Sequence, residues 1–231
     1  MLRERTCGLC HDAHSDLALL KTPNFVTMPG YGQFRDDGGY LVTVTRCHSY
    51  TSSASFSREL LTELETVMNE AAGLIQEEYG VAPIFFEHGS TCHAKAGQCV
   101  THMHMNVIPV SVDLSKYLCG EGVHELKSLQ ELPLIEPPYL YIRTSDGKHI
   151  ASSVATRQIP SQYLRAAIGT EMGHPERGFW DWRIRRSIDD GWQDDEAISE
   201  TRRRLQAGFD DIQKHYDQSI ATESQSCLSA K

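Results

Sequence analysis

The chain has 231 residues, 40% apolar and 23% charged, enough to bury the core of one sizeable domain plus a smaller appendage without covalent staples. Its 31 acidic against 22 basic residues, a net charge of −9, exclude a general nucleic-acid-binding surface, which needs clustered Lys and Arg, and leave small phosphorylated substrates open. The first thirty residues are polar and charged throughout, with no apolar run of signal-peptide or membrane-span length, so the chain reads as cytoplasmic and without a membrane partner.

Seven cysteines, an odd number, read in a reducing compartment as ligands or free thiols. Cys7-Gly8-Leu9-Cys10 is a CxxC. With His11 it spells the haem-attachment string CxxCH, but that chemistry belongs to exported chains and no export signal is visible. A redox dithiol would open a helix after a strand, for which six residues leave little room. Zinc is the reading preferred: two thiolates of a CxxC and two imidazoles from farther along complete a tetrahedron. His11 and His14 are poor partners, because four ligands within eight residues would crowd one ion.

Asn24 to Met28 and Tyr40 to Thr45 read as strands, separated by a Gly- and Asp-rich turn region from Pro29 to Gly39. From Ser57 to Glu78 the residues Leu60, Leu61, Leu64, Val67, Met68, Ala71, Leu74 and Ile75 recur at helical spacing, which predicts a long amphipathic helix packed on a sheet. Val81 to Glu87 is a third strand, running into Phe86-Glu87-His88-Gly89-Ser90. Ser90 through Gln98 is polar and glycine-bearing, suited to wrapping a phosphate with backbone N–H groups.

Gly97-Gln98-Cys99-Val100-Thr101-His102-Met103-His104-Met105-Asn106-Val107-Ile108-Pro109 is the most informative stretch. Successive strand residues point to opposite faces, so His102, His104 and Asn106 share one face while Met103, Met105 and Val107 point into a core. Pro109 donates no ladder hydrogen bond, which sets the imidazoles near a sheet rim. Beyond it, Pro133, Pro137 and Pro138 mark a boundary before the strand Tyr139 to Arg143 and its Ser-Asp-Gly turn. Ile159 to Arg165 starts a helix with proline in its first turn, and Gln162 and Arg165 lie three apart on one face. Trp180 and Trp182 read as packing anchors. Glu196 to Gln218 is a second long helix, followed by a frayed tail.

The run from Gly97 to Pro109 resembles the signature of the histidine triad (HIT) superfamily, alternating histidine and apolar residues after a Gly-Gln turn. Phe86 to Ser90 and the Gln162-x-x-Arg165 helix resemble segments of a bacterial subset with a C-terminal helical extension, and the galactose-1-phosphate uridylyltransferase branch is also similar. The resemblance implies an α+β fold, a HIT-like antiparallel sheet with packed helices over residues 5–135, a mostly helical extension over 136–220 packing on it, and a flexible tail over 221–231. It implies that His104 attacks the α-phosphorus of a nucleotide or nucleotide conjugate, giving a nucleotidyl-histidine that water or another acceptor resolves. Ser90, Gly97, Gln98 and Cys99 would cradle phosphate, Gln162 and Arg165 could reach one, and Phe25 would contact the base. It also implies structural zinc held by Cys7, Cys10, His48 and His102, and admits a homodimer.

The third triad position is Asn106, an amide. It can stabilise a phosphoryl oxygen by donating a hydrogen bond but cannot protonate a leaving group. Either the leaving group is stable as an anion or the proton comes from elsewhere, His88 being a candidate. The function expected is nucleotidyl transfer; a dinucleoside polyphosphate or phosphoramidate hydrolase and a noncatalytic zinc-stabilised nucleotide-binding protein are the alternatives.

Overall fold

The computed structural model describes residues 7–91, 102–118, 122–181, 186–187 and 193–229. Short runs rich in β-branched and aromatic residues form eight strands: β1 Leu20–Lys21, β2 Phe25–Pro29, β3 Leu41–Thr45, β4 Ile84–Gly89, β5 His104–Ile108, β6 His124–Leu126, β7 Tyr139–Arg143 and β8 His149–Ser153. They make one sheet in the order β1-β2-β3-β5-β4-β7-β8-β6, every neighbouring pair antiparallel. The two-residue strands β9 Trp180–Asp181 and β10 Arg186–Ser187 pair separately. Among the described residues four α-helices complete an α+β fold: α1 Gly8–Ala13, α2 Arg58–Tyr79, α3 Tyr163–Glu171 and α4 Asp195–Ser229.

Helix α2 covers the predicted span. The Ser57 side chain caps it by accepting from Leu60 N at 3.3 Å, and Gly80, at φ +69°, ends it in the left-handed conformation that glycine tolerates. Its apolar stripe packs against Phe25, Leu41, Phe85, Met103, Met105 and Val107 on one face of the sheet, and α4 adds Leu205 and Phe209 to the same core. The opposite face carries Val26, Met28, Val42, Val44, Phe86 and Ile108, covered by Ala13 of α1 and by Leu164, Ala167 and Ile168 of α3. Period-2 alternation thus sorts the strands into two cores, and the imidazole of His104 belongs to the α3 side.

Four boundaries differ from those read in the sequence. β5 lies between β3 and β4 and is an interior strand, because Pro109 falls one residue past the ladder and removes no bond from it; His104 is nevertheless its first residue, at the end of the sheet. The expected break near residue 135 falls inside the sheet, where β7 pairs with β4 and β6 with β8, so residues 136–153 extend the core and do not form a separate module. Helix α3 begins at Tyr163, beyond Pro160, because Gln162 adopts φ +62° and breaks the helical path. Helix α4 continues through Ser229, past the expected start of a tail.

Candidate active site and metal centre

Three separate segments bring four ligand-bearing side chains together. Cys7 caps α1 and Cys10 lies within it, His48 follows β3, and His102 precedes β5. Their ligand atoms all lie within 4.8 Å of one another. Cys10 Sγ is 3.2 Å from His48 Nδ1 and 3.5 Å from His102 Nδ1, and Cys7 Sγ is 3.7 Å from His102 Nδ1. A tetrahedral ion with bonds of about 2.3 Å to sulfur and about 2.05 Å to nitrogen has S–N edges of roughly 3.6 Å, so the donor set and its spacing fit zinc. The other ring nitrogen of His102, Nε2, lies 2.8 Å from the Thr45 carbonyl oxygen and 3.0 Å from Thr45 Oγ1, an arrangement that fixes the ring with Nδ1 toward the cluster. His11 lies apart from this group, its side chain exposed beside Asp12.

Two residues on, His104 is half-buried, and its Nδ1 donates to the His102 carbonyl oxygen at 2.8 Å. That bond places the proton on Nδ1 and leaves the Nε2 lone pair available. Burial lowers the imidazole pKa, favouring the neutral form that a nucleophile needs. Asn106 is 3% exposed. Its Oδ1 accepts from the Tyr40 hydroxyl at 2.6 Å and its Nδ2 donates to the Phe86 carbonyl oxygen at 3.1 Å, so one N–H of the amide is left for any other acceptor. Phe86 pairs with Asn106 across β4 and β5, and continuing that register by two residues sets His88 opposite His104. His88 Nε2 accepts from Leu164 N at 3.3 Å. Burial, with the neighbouring His104 imidazole and the Arg165 guanidinium, pushes its pKa down to about 3. Near pH 7 His88 is therefore a neutral imidazole whose Nε2 already accepts a hydrogen bond.

The remaining candidates are dispersed. Phe25 is fully buried on the α2 side, its ring 5.9 Å from that of Phe56, so it is a core side chain on the face away from His104. Phe25→Ala is expected to cost about 3–5 kcal/mol in urea unfolding while leaving nucleotide affinity unchanged; an affinity loss at preserved fold would restore the base contact. Ser90 is buried just past β4, its carbonyl accepting from Thr51 Oγ1 at 2.9 Å. Gln162 spends its amide on the backbone of Trp180, Nε2 donating to the carbonyl and Oε1 accepting from the N–H, both at 2.9 Å. Arg165 is buried beneath the 30–40 turn, where Nη2 donates to the carbonyls of Gly32 at 2.8 Å and Arg177 at 3.1 Å. Gly97, Gln98 and Cys99 lie outside the described residues.

Sequence reading passed over Tyr40 and Thr45, which hold Asn106 and His102. Tyr40 carried a signal, since Val42 and Val44 share its side of the strand and that side faces the triad; the carbonyl contact of Thr45 carried none. It also passed over Glu87. This carboxyl is 1% exposed and accepts from Ser53 N at 2.9 Å, from the Ser53 hydroxyl and from Tyr139 OH at 2.8 Å. The Tyr139 ring fits because Gly89 lacks a side chain; a Cβ there would lie 2.1 Å from it. Glu87 so anchors the segment that follows His48.

Burial pushes the Glu87 carboxyl up to about 6, against an ordinary 4.5. A group with a raised folded value stabilises fully below its unfolded value and loses that contribution as the pH rises through its folded value, here about 1.5 kcal/mol between pH 4.5 and 6.5. His88 and His149, held low by burial, act in the opposite direction, so the effect is read as a difference. Wild type is expected to lose about 1.5 kcal/mol relative to Glu87→Gln across that window in denaturant titrations; parallel profiles would exclude it.

No known protein-family model matches the chain, and no curated protein matches it. Among solved structures, a zinc-bound histidine triad family protein from Mycobacterium smegmatis is 16% identical, with 46% of this chain and 76% of that one covered and a TM-score of 0.39. A HIT-like protein involved in cell-cycle regulation from Bartonella henselae is 11% identical, with 44% and 73% covered and a TM-score of 0.36. Among the described residues no helix is long and apolar enough to cross a membrane.

Proposed function

We propose that the chain is a nucleotidyl-transferring enzyme working through a covalent histidine intermediate. The observation that carries the reading is the bond from His104 Nδ1 to the His102 carbonyl, which leaves Nε2 unprotonated on a half-buried ring. Nε2 would attack the α-phosphorus of a nucleotide-containing anhydride or ester and form a P–N bond as the P–O bond to the leaving group breaks. An acceptor, phosphate-containing or water, would then break the P–N bond and return its electrons to Nε2. Transferase and hydrolase share the first half of this cycle and differ in the acceptor. The remaining N–H of Asn106, with Ser90, Gly97, Gln98 and Cys99, is assigned to the phosphoryl oxygens.

Cys7, Cys10, His48 and His102 would hold a structural zinc, whose bound charge fixes α1, the segment after β3 and the start of β5 without touching substrate. The buried bonds of Asn106 to Tyr40 and Phe86 favour one rival, a zinc-stabilised nucleotide-binding protein without catalysis. Intact-protein mass spectrometry after brief incubation with nucleoside triphosphates, dinucleoside polyphosphates and nucleotide sugars separates the two. A mass gain of one nucleotide supports the enzyme and names the donor; nucleotide binding with neither adduct nor product supports the rival.

A further inference from the structure

Arg165 is 7% exposed, with its Cζ 4.4 Å from the ring centroid of Phe34 and 5.3 Å from that of Tyr40. Its Nη2 is used by the Gly32 and Arg177 carbonyls, but Nε and Nη1 are buried without a hydrogen-bond partner among the described residues. A guanidinium keeps its charge at any working pH, and leaving its donors buried and unfilled is costly unless a ligand completes them. The surroundings hold it in place. A Cβ on Gly32 would lie 2.5 Å from Nη2, so only glycine allows this approach. Asp194 Oδ2 accepts from the N–H groups of Gly32 and Gln33 at 2.6 and 3.1 Å, fixing the peptide that Arg165 grips, while Asp194 Oδ1 has no partner among the described residues.

This cation adjoins the residues around His104. The Tyr40 ring that Arg165 packs on donates its hydroxyl to Asn106, and Leu164, next in sequence, donates its N–H to His88, which the sheet register sets opposite His104. The same neighbours lack an available acid: Asn106 is an amide, the Tyr40 proton is committed to it, and His88 Nε2 is an acceptor. We propose that the unfilled Nε and Nη1 of Arg165 bind the leaving group of the His104 reaction, and that the substrates are therefore phosphoanhydrides, which release a phosphate or polyphosphate anion, rather than phosphoramidates or alkyl esters. This rests on His104 being the nucleophile. The Nε2 lone pair forms the P–N bond, the P–O bond to the leaving phosphate breaks, and its electron pair stays on the departing oxygen. No proton moves in that step, and a fixed cation takes the place of an acid.

The test is the rate of nucleotidyl-protein formation, read by intact mass, with three donors: a nucleoside triphosphate, a nucleoside 5′-phosphoramidate and a p-nitrophenyl nucleoside monophosphate. Wild type is expected to react with the triphosphate at least about 100-fold faster than with the phosphoramidate. Arg165→Met is expected to slow the triphosphate by about 100-fold or more and the nitrophenyl ester, whose leaving group is a delocalised monoanion, by less than about 10-fold. Arg165→Lys, which keeps the charge but not the Nε donor, is expected to show the same selective loss should the Met variant fail to fold. Equal slowing of both donors would reduce Arg165 to a packing role and overturn the proposal, as would a phosphoramidate rate matching the triphosphate; His104 would remain the nucleophile in both cases because adducts still form. Absence of an adduct from every donor in wild type would remove the His104 reading itself, and the proposal with it.

Discussion

Replacing His104 with Asn is expected to lower turnover by at least about 10³-fold while moving the unfolding midpoint by only a few degrees. The two effects separate because the ring does two separable things. Its Nδ1 makes one hydrogen bond, to the His102 carbonyl at 2.8 Å, and an asparagine amide can donate the same bond. Its Nε2 would supply the attacking lone pair, and an amide nitrogen has none to offer, since its electrons are delocalised into the carbonyl. His104 is the first residue of β5 and half-buried, so little packing is lost with the ring. Turnover against the best donor and the mass of the trapped protein are the two readouts. An Asn variant that keeps turnover within about tenfold, or still gains the mass of a nucleotide, would show that another group attacks phosphorus.

The alternation across residues 102–107 carried nearly all of the legible site, because strand periodicity depends on sequence alone: His102, His104 and Asn106 had to share a face whatever surrounded them. The CxxC was legible as a metal ligand pair, and the resemblance supplied His48; the structure brings all four groups within 4.8 Å. What stayed hidden depends on contacts between distant segments. Asn106 looks like an open amide until Tyr40, 66 positions away, donates to its Oδ1 and the Phe86 carbonyl takes one of its N–H groups. His88 looks like an exposed loop residue until α3 closes over it and its imidazole loses the water that would stabilise a charge. Gln162 and Arg165 look equivalent at a spacing of three, yet one amide is consumed by the Trp180 backbone and the other side chain keeps two unfilled nitrogens. The continuity of the sheet past residue 135 was illegible for a related reason: prolines mark a turn locally, but whether the next strand joins the same sheet is decided by the free edge of β4.

Loss of the proposed zinc is expected to lower the unfolding midpoint by roughly 8–16 °C, and Cys10→Ala to do the same. The ligands cross-link segments far apart in sequence, with Cys10 38 positions from His48 and 92 from His102. Closing loops of this length covalently is worth about 4 kcal/mol of unfolded-chain entropy, and a metal tether constrains the chain in the same way. For a chain of this size each kcal/mol moves the midpoint by about 2–4 °C. Metal analysis is expected to give one zinc per chain, absent in Cys10→Ala. Turnover should fall together with the metal, since His102 lies two residues before His104, the proposed nucleophile at the start of β5. The cause would be misplacement of His104 and not loss of a Lewis acid, and cobalt substitution separates the two. With cobalt in the same Cys2His2 set, turnover should stay within about threefold of the zinc protein and the pH profile should not move, because the four protein ligands leave no open position for water or substrate. A turnover or pH profile that changes with the identity of the metal would place the ion in the chemistry.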